Sequence, residues 1–288
     1  MSELQIDKLH ADFGASIPGI DLSSTLPESL RGEIHEAIDT YSFVCFPGQS
    51  MPDEDLLAFT RLLGEPEPEH ITLGQTGKVV YFGTVGNVGD DGVQRGNEHP
   101  DTRFQTGNQL WHADSSFRER PCSFTVTHAH EVPGEGGATE FVSARAAYDR
   151  LSDDMREKVD ELRVIHDYVF SRSQVAPVNP NHAASLPPVA HKLIKQNPRN
   201  GCKNYYVGSH ARSVVGWPGI ESRELIDDLL ARMTRPEDVY AHQWQAGDTV
   251  IWDNRCLLHR GASYDADRWR RRMRQTRVAG SEYGKLHA

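Results

Sequence analysis

The 288-residue chain is 38% hydrophobic, enough for one large domain or two small ones with a buried core. Its formal net charge of −10 excludes a general attraction to nucleic acid or anionic membrane, so an anionic ligand needs a local pocket of positive charge. The four cysteines, Cys45, Cys122, Cys202 and Cys256, form no C-x-x-C pair, and neither a secretory leader after Met1 nor an apolar run of membrane-spanning length is present, which fits a reducing cytoplasmic compartment and argues against a disulfide framework or structural zinc.

In chain order, residues 2–22 read as short strands with a turn at Pro18-Gly19. Residues 27–40 read as a helix, with Leu30, Ile34, Ala37 and Ile38 at helical spacing and Pro27 in its first turn. Phe43–Phe46 is a short apolar strand closed by Pro47-Gly48. Residues 52–63 form a second helix stopped by Gly64. Residues 65–107 are dense in glycine and charge and read as a loop over a pocket. Strands follow at 109–114, 122–132 and 139–141, then a helix over 144–162 that can break near Ser152. Residues 171–201 read as an irregular excursion. A strand at 204–208, an amphipathic helix at 221–233 and strands at 239–244, 249–252 and 268–278 complete the pattern. No repeat or clean linker divides the chain, so residues 1–288 are taken as one α+β domain on a closed or sandwiched β core, for which a jelly roll is well suited.

The stretch Asn108-Gln109-Leu110-Trp111-His112-Ala113-Asp114 carries the chemistry. On a strand, His112 and Asp114 point to one face. An imidazole beside a carboxylate supplies two of the three ligands of the facial triad that holds Fe(II) in non-haem oxygenases. Far downstream, Trp252-Asp253-Asn254-Arg255-Cys256-Leu257-Leu258-His259 offers His259 as the third. His128 and His130 form a competing pair at strand spacing, but without a carboxylate they suit copper or zinc, and they are read as structural. Strand alternation in Arg268–Arg277 places Arg268, Arg270, Arg272 and Arg274 on one face and Trp269, Arg271, Met273 and Gln275 on the other. Arg270 and Arg274 are the candidates for aiming into the metal cavity, where arginine holds a carboxylate through paired hydrogen bonds. Arg271, Arg272 and Arg277 are the candidates for a solvated basic surface. Thr139, after Gly136-Gly137-Ala138, can donate to a carboxylate, and Trp252 can wall the pocket or simply fill the core.

Taken together, Phe43–Gln49, Asn108–Phe117, Gly136–Phe141, Trp252–Gly261 and the arginine strand resemble the taurine dioxygenase group of Fe(II)- and 2-oxoglutarate-dependent dioxygenases. The resemblance is strongest to the branch acting on aryloxyalkanoate herbicides such as 2,4-dichlorophenoxyacetate. It implies a double-stranded β-helix with flanking helices, with His112, Asp114 and His259 on iron. It further implies that Thr139 and Arg270 hold the distal carboxylate of 2-oxoglutarate, with Trp252 beside it, and that Arg274 faces the substrate's anionic group. Asn108 lines the pocket, and His70 falls near a substrate-contacting position. The presence of Asp114 implies hydroxylation rather than halogenation. The reaction expected is oxidative decarboxylation of 2-oxoglutarate with O2 to succinate and CO2, coupled to hydroxylation beside an ether oxygen, giving a phenol and a 2-oxo acid. A sulfonate or alkyl sulfate such as taurine is the alternative substrate; a non-catalytic metal-binding jelly roll is the alternative of another class. The expected partner is a small anionic molecule, without nucleic acid or membrane, and the chain is expected to form a homo-oligomer.

Overall fold

The computed structural model describes residues 4–280, so both ends of the expected 1–288 domain, and residues 2 and 3 of the expected opening strands, lie outside the described residues. Two short strands, β1 (Asp7–Lys8) and β2 (Ala15–Ser16), precede helix α1 (Glu28–Tyr41). The helix buries Ile34, Ala37 and Ile38 and ends at Ser42, which takes a left-handed conformation (φ 62) and donates its N–H to the Ile38 carbonyl. Strand β3 (Phe43–Phe46) leads to helix α2 (Asp53–Leu63), whose first turn carries Asp53, Glu54 and Asp55 at the positive end of its dipole.

The segment expected to be a loop, 65–107, instead contains helix α3 (His70–Thr76), strand β4 (Gly83–Gly86) and helix α4 (Pro100–Gln105). Strand β4 escapes the sequence pattern because two of its four residues are glycine. At Gly86 (φ +134) a Cβ would lie 2.0 Å from the Arg271 carbonyl oxygen, so the strand crossing there requires glycine. The expected strand at 109–114 is also corrected. A 3-10 turn covers Thr106–Gln109, and His112 makes only an isolated antiparallel bridge with His259.

Strands β5 (Phe124–Glu131) and β6 (Thr139–Ser143) lie close to expectation. The long helix after them is two, α5 (Ala144–Asp149) and α6 (Asp153–Val159), and the Ser152 hydroxyl caps the second by accepting from the Met155 N–H. Next come β7 (Arg163–His166), α7 (Tyr168–Arg172), α8 (Pro180–Ser185), β8 (Val189–Lys192), β9 (Ile194–Gln196), β10 (Lys203–Tyr205) and β11 (Ala211–Val214), so the 171–201 excursion carries regular elements too. Helix α9 (Gly219–Met233), β12 (Tyr240–His242), β13 (Thr249–Asp253), β14 (Leu257–Gly261) and β15 (Arg272–Val278) complete the order.

A seven-stranded sheet runs β1-β2-β3-β13-β5-β15-β4, and a three-stranded sheet runs β12-β6-β14. Both contribute to one apolar interior: Phe43, Cys45, Ala129, Val250, Trp252 and Met273 from the larger sheet meet Phe141 and Leu257 from the smaller. Phe43 and Phe141 pack edge to face at 4.7 Å, and burying each ring is worth about 2–3 kcal/mol. A second core lies where α1 and α2 cover the outer face of the large sheet through Ile38, Leu56, Phe59, Val126, Ile251 and Val278. A third gathers α5, α9 and the small sheets around Tyr205 and Leu229. Among the described residues no helix is long and apolar enough to cross a membrane.

Candidate metal centre and its surroundings

Two backbone hydrogen bonds bring the distant halves of the centre together: His112 N–H to the His259 carbonyl at 3.0 Å, and His259 N–H to the His112 carbonyl at 2.9 Å. Their imidazole centroids lie 4.2 Å apart. Ligand atoms of His112, Asp114 and His259 all lie within 4.8 Å of one another, and all three residues are buried. The Nδ1–H of His112 donates to the Leu110 carbonyl at 2.7 Å, which leaves the Nε2 lone pair free to bind a metal. Burial, with His112 next to it, pulls the His259 imidazole down to about 3, and burial likewise lowers His112, so both rings are neutral donors at pH 7. Phe141 stacks against His259 at 5.9 Å, and Trp252 packs on it at 4.8 Å.

Asp114 projects from a turn rather than a strand. The next residue, Ser115, takes φ 54, and its hydroxyl donates to Glu67. The Asp114 N–H donates to Asn254 Oδ1 at 3.0 Å, and Asp114 Oδ2 accepts from the Thr125 hydroxyl at 2.7 Å and from Gln275 Nε2 at 3.4 Å. Arg277 Nε stands 3.9 Å from the same oxygen. Burial by itself would raise the Asp114 carboxyl; His259, Arg277 and His112 outweigh it and hold it well below the usual carboxylate range. Two neutral imidazoles and one ionised carboxylate make a donor set that suits Fe(II) and leaves coordination positions open.

The arginine strand faces the opposite way from expectation. Arg270 is on the outside, donating to Glu131 at 3.0 Å. The Arg274 side chain is covered, but by the outer layer: it donates to Asp53 of α2 at 3.0 Å and pairs with Asp90 at 3.0 Å. Thr276 shares that face, 2.6 Å from the Thr60 hydroxyl of α2, and Val278 joins the α1–α2 core. The interior face carries the odd positions, so Arg271 is buried and Arg277 keeps only 13% of its side chain exposed, contrary to the expected solvated surface. Burial pulls the Arg271 guanidinium down to about 10. Its Nε has no hydrogen-bond partner, and among the described residues no carboxylate pairs with it. Met273 was the available sequence signal, as the apolar residue on the odd face.

Thr139 is buried, and its hydroxyl accepts from Trp244 Nε1 at 2.9 Å. Trp252 donates through Nε1 to Asn254. Asn108 accepts from Arg172 Nη2 at 2.8 Å. His70 is buried, with Phe117 at 5.0 Å and Tyr168 and His182 each at 5.5 Å, and burial holds it well below its ordinary value. Sequence reasoning left Arg172, Tyr168, His182 and His210 without roles, because they lie in short helices and loops with no periodicity. In three dimensions they join Phe117 and His70 beside His112. His128 and His130 sit on the outer side, with His128 2.9 Å from the Thr249 hydroxyl. A second buried cluster, Cys45, His242 and Asp248, was not singled out; His242 Nε2 lies 3.2 Å from Asp248 there.

Residues 5–277 match the family described as taurine catabolism dioxygenase TauD, TfdA family. The chain is 36% identical over 273 residues to an alpha-ketoglutarate-dependent 2,4-dichlorophenoxyacetate dioxygenase of Cupriavidus pinatubonensis, covering 93% of this chain and 95% of that protein. It is 31% identical to an (S)-phenoxypropionate/alpha-ketoglutarate-dioxygenase of Sphingobium herbicidovorans, over 96% of this chain and 94% of that one. The crystal structure of AAD-2 in complex with Mn(II) and N-oxalylglycine superposes with a TM-score of 0.88 at 33% identity, covering 98% of each chain.

Proposed function

The chain belongs to the TauD, TfdA family and is an Fe(II)- and 2-oxoglutarate-dependent dioxygenase, and from that premise we propose that it hydroxylates the carbon beside the ether oxygen of an aryloxyalkanoate. The observation that carries this reading is the convergence of His112, Asp114 and His259 next to a wall of rings formed by Phe117, Tyr168, His70 and His210. The relatives named for 2,4-dichlorophenoxyacetate and phenoxypropionate support the substrate class. The two facing sheets are read as a double-stranded β-helix in a single domain.

His112, Asp114 and His259 would hold Fe(II), which with 2-oxoglutarate and O2 supplies the oxidant. Thr125, Gln275 and Arg277 keep the Asp114 carboxylate ionised and aimed. Trp252 and Phe141 fix the plane of His259 and exclude water from that side. Arg271 takes the role expected of Arg270. It is a buried guanidinium without an acid partner, it lies on the interior face two residues before Met273, and Met273 shares a cluster with Trp244, which binds Thr139. Arg271 and Thr139 would hold the distal carboxylate of 2-oxoglutarate through charge-assisted hydrogen bonds. Overall, one C–H becomes C–OH while 2-oxoglutarate and O2 give succinate and CO2. The resulting hemiacetal breaks the bond between its hydroxylated carbon and the aryloxy oxygen; that oxygen takes up the hydroxyl proton to leave as a phenol, and the carbon becomes the carbonyl of a 2-oxo acid.

The test is a panel of phenoxyacetates, phenoxypropionates, taurine and alkyl sulfates, scored by substrate-dependent succinate release with Fe(II), 2-oxoglutarate and O2. Phenol release from the aryloxyalkanoates alone supports the reading. Turnover confined to taurine or an alkyl sulfate replaces it with the sulfur-substrate alternative.

A further inference from the structure

We propose that Arg172 is the anchor for the substrate carboxylate, aimed by Asn108 and Tyr168; this rests on the aryloxyalkanoate reading above. Arg172 ends helix α7, which Asp167 caps by accepting from the Phe170 N–H at 3.1 Å. The guanidinium donates to Asn108 Oδ1 at 2.8 Å and to the Phe104 carbonyl at 3.3 Å, and it lies 5.1 Å from the Phe104 ring centre and 5.9 Å from that of Tyr168. All of these partners are neutral. Among the described residues no carboxylate pairs with it, whereas Arg145, Arg274 and Arg277 each have an acid within 4 Å. A half-buried cation with neutral acceptors and spare donors is a receptor for an anion.

Its position relative to the centre follows from the rings. Tyr168, under Arg172, packs on Phe117 at 4.7 Å, Phe117 on His210 at 4.9 Å, and His210 on the metal-side His112 at 6.2 Å. The charge of Arg172 is felt by both His112 and Asp114. An aryl group laid along this wall, with its carboxylate on Arg172, presents the intervening carbon toward the centre. Of the other arginines, Arg277, Arg118 and Arg145 stand beside Asp114, Glu67 and Asp253, and Arg271 is the one assigned above to 2-oxoglutarate. Gly107 supports the assignment, because a Cβ there would lie 2.0 Å from Arg172 Nη1, so glycine leaves the guanidinium its place.

The experiment is anaerobic calorimetric titration of the Fe(II)- and 2-oxoglutarate-loaded enzyme with phenoxyacetate and with neutral phenoxyacetamide. The wild-type protein should favour the acid by roughly 10- to 100-fold, the range of a charge-assisted pair. Arg172→Met should abolish that preference with 2-oxoglutarate affinity unchanged. Gly107→Ala, which displaces the guanidinium without removing it, should reduce the preference, and it decides the matter if Arg172→Met fails to fold. An undiminished preference for the acid in a folded variant overturns the anchor alone. Wild-type protein that binds neither compound, yet releases succinate with a sulfonate or sulfate, overturns the substrate reading and the anchor with it.

Discussion

The two faces of β15 carry nearly the same chemistry and do opposite work. On the outer face Arg274 lies between Asp53 and Asp90, while Arg270, just before the strand, pairs with Glu131. On the inner face Gln275 and Arg277 support Asp114, and Arg271 has no acid. An arginine that already has a carboxylate gains little from a second, while one buried without a carboxylate carries an unmet desolvation cost that a ligand can relieve. The partner therefore tells more about the role of each arginine than its spacing from the metal ligand does.

The largest effect should come from the centre itself. Asp114→Ala removes the anionic ligand and leaves Arg277 unpaired beside it. Turnover measured as succinate release should fall by at least about 10³-fold, and anaerobic Fe(II) titration should show loss of binding. Retained, substrate-coupled succinate release would remove Asp114 from the metal. The next test separates the two faces directly. Arg271→Met should raise the KM for 2-oxoglutarate by roughly 10- to 100-fold, the range of a lost charge-assisted contact, while Arg270→Met should leave it within about 3-fold. The reverse result would return the co-substrate role to Arg270. Arg274→Ala should leave both KM values unchanged and lower thermal stability by about 1 kcal/mol, because its acids are partly exposed: Asp53 is 41% and Asp90 76% accessible in the side chain. A rise in substrate KM without loss of melting temperature would place Arg274 in the pocket after all.

The sequence made the cluster of His112, Asp114 and His259 legible because chemistry restricts candidate metal ligands: few residue types bind Fe(II), and these three come together even though the local structure is a turn and a bridge rather than the strand expected. Alternation along the arginine strand was legible as well, and the correct sets fell together. Which set faced inward was not, because that depends on α2, whose acidic first turn and apolar side cover the even positions. The ring cluster beside His112 was least legible. Phe117, Tyr168, His182 and His210 come from separate short elements, and nothing in their spacing announces that their rings meet. Two glycines of 65–107 depart from the expected loop for a related reason: Gly83 and Gly86 serve a strand that approaches β15 closely, whereas Gly89, Gly92 and Gly96 lie outside helix and strand.

The outer face shares with the inner a response to acid. His128 pairs in register with Arg274, and the His130 ring packs on His128 at 4.7 Å. Burial, with His130 beside it, pulls His128 down to about 4; burial and Arg272 lower His130 as well. In the unfolded chain both titrate near 6.5. Between pH 6.5 and about 4 the unfolded state therefore binds more protons than the folded one, and stability falls as pH falls through that window, with a slope approaching about 1.4 kcal/mol per pH unit for each imidazole held neutral. Other buried histidines, among them His191, add to the same slope, so the face is isolated by a variant. His128→Gln keeps a polar neighbour for the Thr249 hydroxyl and removes one titrating group. Its melting temperature should decline less steeply from pH 6.5 to 4 than that of the wild-type protein, and an identical slope in the two would mean that His128 is free to protonate among the outer arginines.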